Sequence, residues 1–301
     1  MLINLIQPLA PSFYTYDKAG NRLTETDSAA ASTITYTYNE QNRLMKTEKA
    51  LPGSIVISTT YSYDNNGNMI YTSEETRKPA VAGTQPTLSG YIAGESNESK
   101  VAFYQYNSLD QLVRSSTGNN VIDYGYNGEG LRVSKKVNGD TTRYLYEYDK
   151  IVLEVNGSGT QISKNVYGTD LISKSIGNST YFYKYNGHFD VTALTDTSGN
   201  IAATYYYDAF GVALERTGNI GNNIGYAGYQ YDEETGLYYL NARMYCPNLG
   251  CFLQEDTYRG SRDNMLSLNL YTYCHNEPIM YNDPSGHWEV GNGKAYIIKL
   301  K

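Results

Sequence analysis

The chain has 301 residues and a formal net charge of −7, and it carries no run of basic residues. This acidic balance argues against nucleic acid as a bulk electrostatic partner, because such binding needs a basic stripe. No apolar stretch approaches the length that a membrane-spanning helix needs, so no membrane span is predicted.

Tyrosine dominates the aromatic composition, with 33 Tyr against 6 Phe and 1 Trp. Tyrosine favours strands, where its ring covers cross-strand neighbours while its hydroxyl stays hydrated or hydrogen-bonded. The 28 Gly, together with many Asn and Asp, supply turns. Helical periodicity of any length is absent. The composition therefore predicts an all-β protein.

The N-terminal segment Met1–Ala10 is mildly apolar, lacks a basic start and contains Pro8, so it is a poor match to a signal peptide. Repeat-like sequence begins almost at once, at Tyr14. We therefore expect the chain to be part of a longer protein.

A tyrosine-centred unit recurs roughly every twenty residues, which is the signature of a repeat architecture. The unit reads Tyr-x-Tyr followed mostly by Asp or Asn, then a turn and a second short strand, so each copy predicts a β-hairpin. Stacked hairpins would share one continuous sheet, since one alone cannot bury its face. Clear copies begin at Tyr14, Tyr36, Tyr61, Tyr104, Tyr124, Tyr144, Tyr183 and Tyr205.

Predicted turns lie at Asp64–Asn68, Asn127–Gly128, Asn138–Gly139, Asn156–Gly157 and Ser198–Asn200, where Asn, Asp and Gly tolerate positive φ. The segment Glu74–Lys100 breaks the rhythm with Pro79, Pro86 and several glycines. It is predicted to be a long loop inserted between repeats.

The three cysteines, Cys246, Cys251 and Cys274, lie near the C-terminal end. Together with His275 they lack the paired C-x-x-C hairpins of a structural zinc site. We therefore predict buried or half-buried thiols, no metal site and no cofactor.

From Tyr205 onward the sequence carries distinctive motifs. They are Tyr231-Asp232-Glu233-Glu234-Thr235-Gly236-Leu237-Tyr238-Tyr239-Leu240-Asn241-Ala242-Arg243, Gly250-Cys251-Phe252-Leu253-Gln254-Glu255-Asp256, and the segment from Asn269-Leu270-Tyr271 to Asp283-Pro284-Ser285-Gly286-His287. This region closely resembles the RHS-repeat-associated core domain of bacterial RHS/YD-repeat proteins, and the upstream units resemble YD repeats.

The resemblance implies a container. In that family, which includes polymorphic toxins of bacterial competition, wall-associated proteins, insecticidal toxin shells and teneurins, YD repeats form a hollow β-shell that spirals and is plugged by the core domain. A C-terminal toxin follows the plug and is held inside. The implied domains are 1–204 (YD-repeat sheet, with the loop 74–100), 205–287 (core) and a tail, 288–301, too short for a toxin domain. The expected partners are that missing toxin segment and the remaining shell repeats. The resemblance also implies that the larger parent protein is secreted or held at the cell surface.

Some family members cut themselves just after the core by chemistry that resembles aspartic proteases. The resemblance maps this pair onto Asp256 and Asp283, with cleavage near His287–Trp288. Two carboxylates would have to lie close enough to share a proton. The sequence departs from the family pattern at Cys246, where the family has Asp, and at Cys251, where it often has Arg. The alternative is that both aspartates form turns that hold the core together.

Three functions therefore stay open. The first is a structural encapsulation module of a polymorphic toxin. The second is an autoproteolytic core that acts once on itself. The third is a surface adhesion module that stacks tyrosines on carbohydrate.

Overall fold

The computed structural model describes residues 12–78 and 100–291 of the chain. The described residues fall into two compact units. The first holds residues 12–78 and 100–103 together with Gly260–Asn269, and the second holds Tyr104–Arg259 together with residues 270–291. The N-terminal segment Met1–Ala10 and most of the predicted loop lie outside the described residues.

The first unit is an antiparallel meander, in which each strand pairs with the next along the chain. Its final strand, β7, pairs through Lys100–Phe103. The strands are β1 Ser12–Tyr16, β2 Arg22–Asp27, β3 Ser32–Tyr38, β4 Leu44–Leu51, β5 Ile55–Tyr63, β6 Met69–Arg77 and β7 Lys100–Tyr106. The short 3-10 helix Met265–Leu268 belongs to the same unit.

The predicted bounds of the loop Glu74–Lys100 are wrong at both ends, because strands occupy its first and last residues. Strand β6 continues to Arg77, and Lys100 already belongs to β7 and pairs with Glu74. Alternating Thr, Ser and Glu side chains suit a strand with one solvated face, and this extension was hidden by the polar composition of the segment. Residues 79–99 lie outside the described part of the chain.

The second unit continues the same pattern of sequential antiparallel hairpins. Its repeat strands are β8 Leu112–Thr117, β9 Asn120–Tyr126, β10 Arg132–Val137, β11 Asp140–Glu147, β12 Lys150–Asn156, β13 Gln161–Tyr167, β14 Leu171–Ile176, β15 Ser179–Tyr185, β16 Val191–Thr195, β17 Ile201–Tyr207 and β18 Ala213–Thr217. The predicted all-β class, built from repetitive hairpins, is confirmed.

One turn design explains the recurring Asp or Asn of the repeat. In the copy that starts at Asn127, the side-chain Oδ1 accepts the N–H groups of Glu129 (3.1 Å) and Leu131 (2.9 Å). The residue three positions after the Asn, Gly130, has a positive φ of 86°. An Asp or Asn side chain that caps its own turn in this way favours the turn over continued strand. The predicted turns are confirmed, and the same capping recurs at Asp17, Asn39, Asn107, Asn156, Asn186, Asp196 and Asp208.

The two tyrosines of the repeat unit make different contacts. The first is buried in five of the eight copies, as at Tyr124 and Tyr183. The second can donate its hydroxyl to a main-chain carbonyl fourteen residues earlier, as Tyr126 does to Leu112 and Tyr185 does to Leu171, each at 2.8 Å. In these copies the bond satisfies the phenol and ties the hairpin to the strand before it.

The C-terminal part of the second unit is more irregular. Strands β19 Gln230–Asp232, β20 Leu237–Leu240, β21 Arg243–Cys246 and β22 Cys251–Phe252 form a four-stranded antiparallel sheet. Strands β23 Tyr281–Asn282 and β24 Val290–Gly291 form a separate pair. Short 3-10 helices lie at Tyr226–Gly228 and Cys274–Asn276.

Candidate functional site

The C-terminal motifs fold around a shared aromatic core. Its buried members are Tyr226, Tyr229, Tyr238, Leu240, Tyr245, Phe252, Tyr273 and Cys274. The hydroxyls of three tyrosines donate to consecutive carbonyls of one loop: Tyr226 to Ala209, Tyr245 to Phe210 and Tyr238 to Gly211, at 2.8–2.9 Å. Phenols that find such partners can be buried without leaving a polar group unsatisfied, so this core also fixes the loop after β17.

A fully buried ion pair joins the repeats of the second unit to this core. Arg132, the first residue of β10, contacts Asp232 of β19 through both guanidinium Nη atoms, at 2.5 and 3.1 Å. Both side chains have no exposed surface. Burial opposes the charge of Asp232, but the charges of Arg132 and Lys135 outweigh it and lower its pKa. The pair fixes a repeat strand to the core.

Arg243 of β21 lies at the centre of the predicted site. Its Nη2 atom is 2.7 Å from Asp256 Oδ2 and 3.8 Å from Asp283 Oδ2. Its Nη1 donates to the carbonyl of Leu270 at 3.0 Å, and its Nε donates to the carbonyl of Gly286. Burial lowers the pKa of Arg243, and the two carboxylates oppose that shift. The planar guanidinium thus connects four segments of the chain.

Asp283 organises the turn that follows it. Its Oδ1 accepts the N–H groups of Gly286 (2.9 Å), His287 (3.1 Å) and Trp288 (3.0 Å) and the hydroxyl of Ser285 (3.1 Å). Burial raises the pKa of Asp283, and this effect exceeds the opposing effects of Arg243 and of these hydrogen bonds. A carboxylate that accepts several N–H groups of one turn has a clear structural role.

Asp256 faces the same turn from the other side. Its Oδ1 accepts the N–H of Tyr258 at 2.9 Å and lies 2.8 Å from Nδ1 of His287. The indole of Trp288 packs on the ring of Tyr258 at 4.3 Å between centroids. The residues on both sides of the predicted cleavage bond are therefore held, one by Asp256 and the other by an aromatic contact.

The turn fits into a cradle made by the segment between β20 and β21. Asn241 Nδ2 donates to the carbonyl of Pro284 at 3.1 Å, and the Ala242 N–H donates to the carbonyl of Ser285 at 3.2 Å. Gly286 has a φ of 76°, and a Cβ there would lie 2.3 Å from the carbonyl oxygen of Leu240. Only glycine fits this close approach.

The structure brings together every residue that the sequence predicted for the site: Asp256, Asp283, His287 and Trp288. The two carboxylates face a common guanidinium, and Asp283 Oδ1 is 3.0 Å from the amide nitrogen of Trp288, which would be the leaving group of a cut after His287. Sequence reasoning missed Arg243 as a member of the site. Its signal was its place in the motif Leu240-Asn241-Ala242-Arg243, which alone does not show where the side chain points.

The cysteines lie in two different surroundings. Cys246 and Cys251 are half-buried and face each other across β21 and β22, whereas Cys274 is buried in the aromatic core. His275 Nδ1 lies 3.4 Å from Glu289 Oε1. Within residues 12–78 and 100–291, no three or more His, Cys, Asp or Glu side chains are grouped as metal ligands. No helix in the described part of the chain is both long enough and apolar enough to cross a bilayer.

The structure combines an antiparallel meander of tyrosine-rich hairpins with an aromatic core, and the ion pair of Arg132 and Asp232 joins the two. This arrangement defines the class of protein: a β-shell segment with its associated core. The chain belongs to the Teneurin YD-shell family, whose sequence model matches residues 2–279.

Similar proteins place it among bacterial relatives and animal teneurins. It is 36% identical over 287 residues to the tRNA3(Ser)-specific nuclease WapA of Bacillus spizizenii, covering 91% of this chain and 11% of that protein. It is 25% identical over 190 residues to human Teneurin-4, covering 58% of this chain and 7% of that protein. The chain thus spans about a tenth of the length of the first curated relatives that it matches.

Solved structures show the same fold. The Photorhabdus luminescens Tc holotoxin pore matches with a TM-score of 0.52 at 18% identity, over 95% of this chain and 17% of that one. The TcdB2-TccC3 complex that carries Cdc42 matches with a TM-score of 0.50 at 20% identity, over 92% of this chain and 17% of that one.

Proposed function

We propose that this YD-shell module forms part of the wall of a container that encloses the toxin segment of a larger, exported polymorphic toxin. The observation that carries the proposal is the buried pair of Arg132 and Asp232, which fixes a repeat strand to the core. A rigid junction of this kind suits a closed wall, whereas a loosely tethered domain would have no use for it. The nuclease relatives supply the class of cargo. The partners are that toxin segment and the neighbouring shell repeats.

A chimera tests the proposal. The corresponding stretch of Bacillus spizizenii WapA is replaced by this chain, and tRNA cleavage is measured before and after treatment with a protease. Enclosure predicts that nuclease activity survives a treatment that destroys it in the same chimera carrying Asp232→Asn. The proposal fails if the two chimeras fold and lose activity at the same rate. A matched chimera with Glu233→Gln, at an exposed neighbour, should behave like the parent chimera.

The second candidate is self-cleavage between His287 and Trp288. The favouring observation is the position of Asp283, whose raised pKa promotes protonation and whose Oδ1 lies 3.0 Å from the leaving-group nitrogen. In the structure Oδ1 accepts the Trp288 N–H, so a protonated Asp283 would have to turn its O–H toward that nitrogen to deliver a proton to the departing amine. Asp256 would then have to activate water, a role that competes with its contacts to Arg243 and His287.

Intact-mass spectrometry of the purified chain, incubated between pH 4 and pH 8, decides this candidate. Cleavage predicts loss of the mass of Trp288–Lys301, abolished by Asp283→Asn and retained with Asp149→Asn at an exposed control position. An unchanged mass at every pH removes self-cleavage and leaves both aspartates with the structural role.

A further inference from the structure

Cys246 and Cys251 occupy directly opposed positions of the hairpin formed by β21 and β22. Residues that face each other in an antiparallel pair have Cα atoms about 4.5 or 5.5 Å apart, according to their hydrogen bonding. Both separations lie within the range of about 4.4–6.8 Å that disulfides span. The pairing register therefore places the two Cα atoms at a separation that a disulfide can span.

The neighbouring pair of the hairpin shows that facing side chains do meet here. Tyr245 pairs with Phe252, and their rings contact each other at 5.8 Å between centroids inside the aromatic core. Because successive side chains alternate between the two faces, the sulfurs of Cys246 and Cys251 share the opposite face, outside that cluster. Both cysteines are half-buried, so a small oxidant has access to them.

The connecting loop holds the two strands in this register. The N–H groups of Leu249 (3.2 Å) and Gly250 (2.9 Å) both donate to the carbonyl of Cys246, and Phe252 N–H donates to the carbonyl of Tyr271 at 2.9 Å. Cys251 also bridges to Thr272 on its other side. The two cysteines thus stay opposed without needing a covalent bond to bring them together.

We propose that Cys246 and Cys251 are a redox-active pair that forms a reversible intramolecular disulfide. The oxidant is a small-molecule or protein disulfide. One cysteine thiolate attacks it, releasing one thiol and leaving a mixed disulfide on the protein. The second thiolate then attacks the protein sulfur of that mixed disulfide, which releases the second thiol. The protein loses two hydrogens and the oxidant is reduced to two thiols. This proposal does not depend on the proposed function.

The third cysteine, Cys274, does not compete with Cys246 and Cys251 for the oxidant. Cys274 is 4% exposed within the aromatic core, and burial raises the pKa of its thiol well above the ordinary value, so it stays protonated. A protonated, inaccessible thiol is a poor nucleophile. Oxidation should therefore select the opposed pair.

The bond would act on the candidate site, because the hairpin it closes carries Arg243 at one end and leads to Asp256 at the other. Leu253 N–H donates to the carbonyl of Met244 at 2.9 Å, just beyond the disulfide. A crosslink across β21 and β22 restrains opening of this segment. The oxidised form should hold the partners of Arg243 more firmly than the reduced form.

The test incubates the whole chain in buffers with graded ratios of oxidised to reduced glutathione, followed by thiol labelling and non-reducing peptide mapping. We expect labelled thiols to fall from three to one, a mass lower by two hydrogens, and a linked Cys246–Cys251 peptide. Hydrogen exchange of the Leu253 amide should slow on the order of tenfold on oxidation. In Cys274→Ser the labelled thiols should fall from two to zero, and the linked peptide and the slower exchange of the Leu253 amide should be unchanged.

Cys246→Ser and Cys251→Ser should each abolish the linked peptide, and urea midpoints matching the reduced wild type will show that they fold. The proposal is overturned if Cys246 and Cys251 become separately glutathionylated at every ratio without forming the linked peptide. It is equally overturned if the bond found joins Cys251 to Cys274.

Discussion

Arg132 and Asp232 form a bidentate ion pair across one hundred residues of sequence. Neither side chain is exposed to solvent. Lys135 adds a contact to Asp232 at 3.2 Å, and Glu234 in turn contacts Lys135 at 2.9 Å. The guanidinium also lies over the ring of Tyr239 at 4.4 Å. The second unit therefore depends on a long-range electrostatic contact between a repeat and a core motif.

Removing one partner of this pair should be strongly destabilising. Asp232→Asn leaves the buried charge of Arg132 without its partner, and Arg132→Met leaves Asp232 with the single contact from Lys135 in place of the bidentate one. The expected cost of each is about 3–5 kcal/mol in the free energy of unfolding. The double variant Arg132→Met/Asp232→Leu should recover much of that loss because it leaves neither charge behind. Urea denaturation followed by circular dichroism measures all three.

The control for this series is the exposed pair of Arg216 and Glu233, whose side chains are 41% and 67% exposed at a distance of 2.6 Å. Glu233→Gln should cost no more than about 1 kcal/mol, because solvent screens an exposed pair. Equal losses at Glu233 and Asp232 would contradict the role given to the buried pair.

The two aspartates around Arg243 should differ in what they contribute. Asp256→Asn removes the charge closest to the buried guanidinium and should cost about 3–5 kcal/mol. Asp283→Asn keeps an oxygen that can accept the N–H groups of the turn, and its loss should be smaller. Equilibrium unfolding at pH 7 ranks the two, and the reverse order would argue against this account of the site.

The raised pKa of Asp283 predicts how the stability of the protein depends on pH. Its folded pKa is raised, so its contribution to stability is fully present below the ordinary pKa of an aspartate and is lost as pH rises through the folded pKa. Asp283→Asn should therefore lose less stability at pH 7 than at pH 4. Unfolding free energies at these two values, compared with those of the wild type, test the sign.

Gly286 should tolerate no side chain. Gly286→Ala would place a methyl 2.3 Å from the carbonyl of Leu240 at a φ of 76°, so the cradle or the turn must move. The expected cost is about 2–4 kcal/mol, from the strain and from lost turn hydrogen bonds. Gly128→Ala is the matched control, because its turn has open space around the new methyl and the change should stay within about 0.5 kcal/mol. Thermal denaturation of both variants distinguishes strain from a general loss of turn flexibility.

The hairpins could be read from the sequence because each turn is encoded locally. Asn127 caps its own loop, and Gly130 supplies the positive φ within four residues. The partner of Arg132 could not be read in the same way. Arg22 lies at the equivalent position of another repeat and pairs with Glu25 only three residues away, so the position in the repeat does not identify the partner. Nothing local shows that this arginine will be buried against an acid one hundred residues away.

The candidate site was only partly accessible to sequence reasoning for the same reason. The proximity of Asp256 and Asp283 was predicted from a family resemblance, since two acids 27 residues apart carry no periodicity that joins them. Arg243 was missed because its role depends on carbonyls of Leu270 and Gly286 that only the folded turns present. The opposition of Cys246 and Cys251 depends on the pairing register of β21 and β22.

The last prediction concerns His188 and Asp190, which share a repeat turn. His188 Nδ1 lies 2.8 Å from Asp190 Oδ1, and its Nε2 lies 3.3 Å from the carbonyl oxygen of Tyr281. Burial favours the neutral imidazole, but the hydrogen bond and charge of Asp190 outweigh it and raise the pKa of His188. Burial likewise opposes the charge of Asp190, and His188 outweighs that effect, so the pKa of Asp190 is lowered.

The directions of these two pKa shifts define the pH range in which the pair stabilises the fold. The contribution of His188 is fully present below the ordinary histidine pKa of about 6.5 and is lost as pH rises through its folded pKa. The contribution of Asp190 is present above its ordinary pKa of about 3.9 and is lost as pH falls through its lowered folded value. His188→Gln should therefore cost about 1.5–3 kcal/mol at pH 5, where it removes a charged hydrogen bond, and less at pH 8. Urea titrations at both pH values measure the difference between the two costs. In an Asp190→Asn background this difference should be smaller, because the charge that raises the pKa of His188 is absent. A His188→Gln penalty that stays equal from pH 5 to pH 8 would show that the imidazole acts through packing alone.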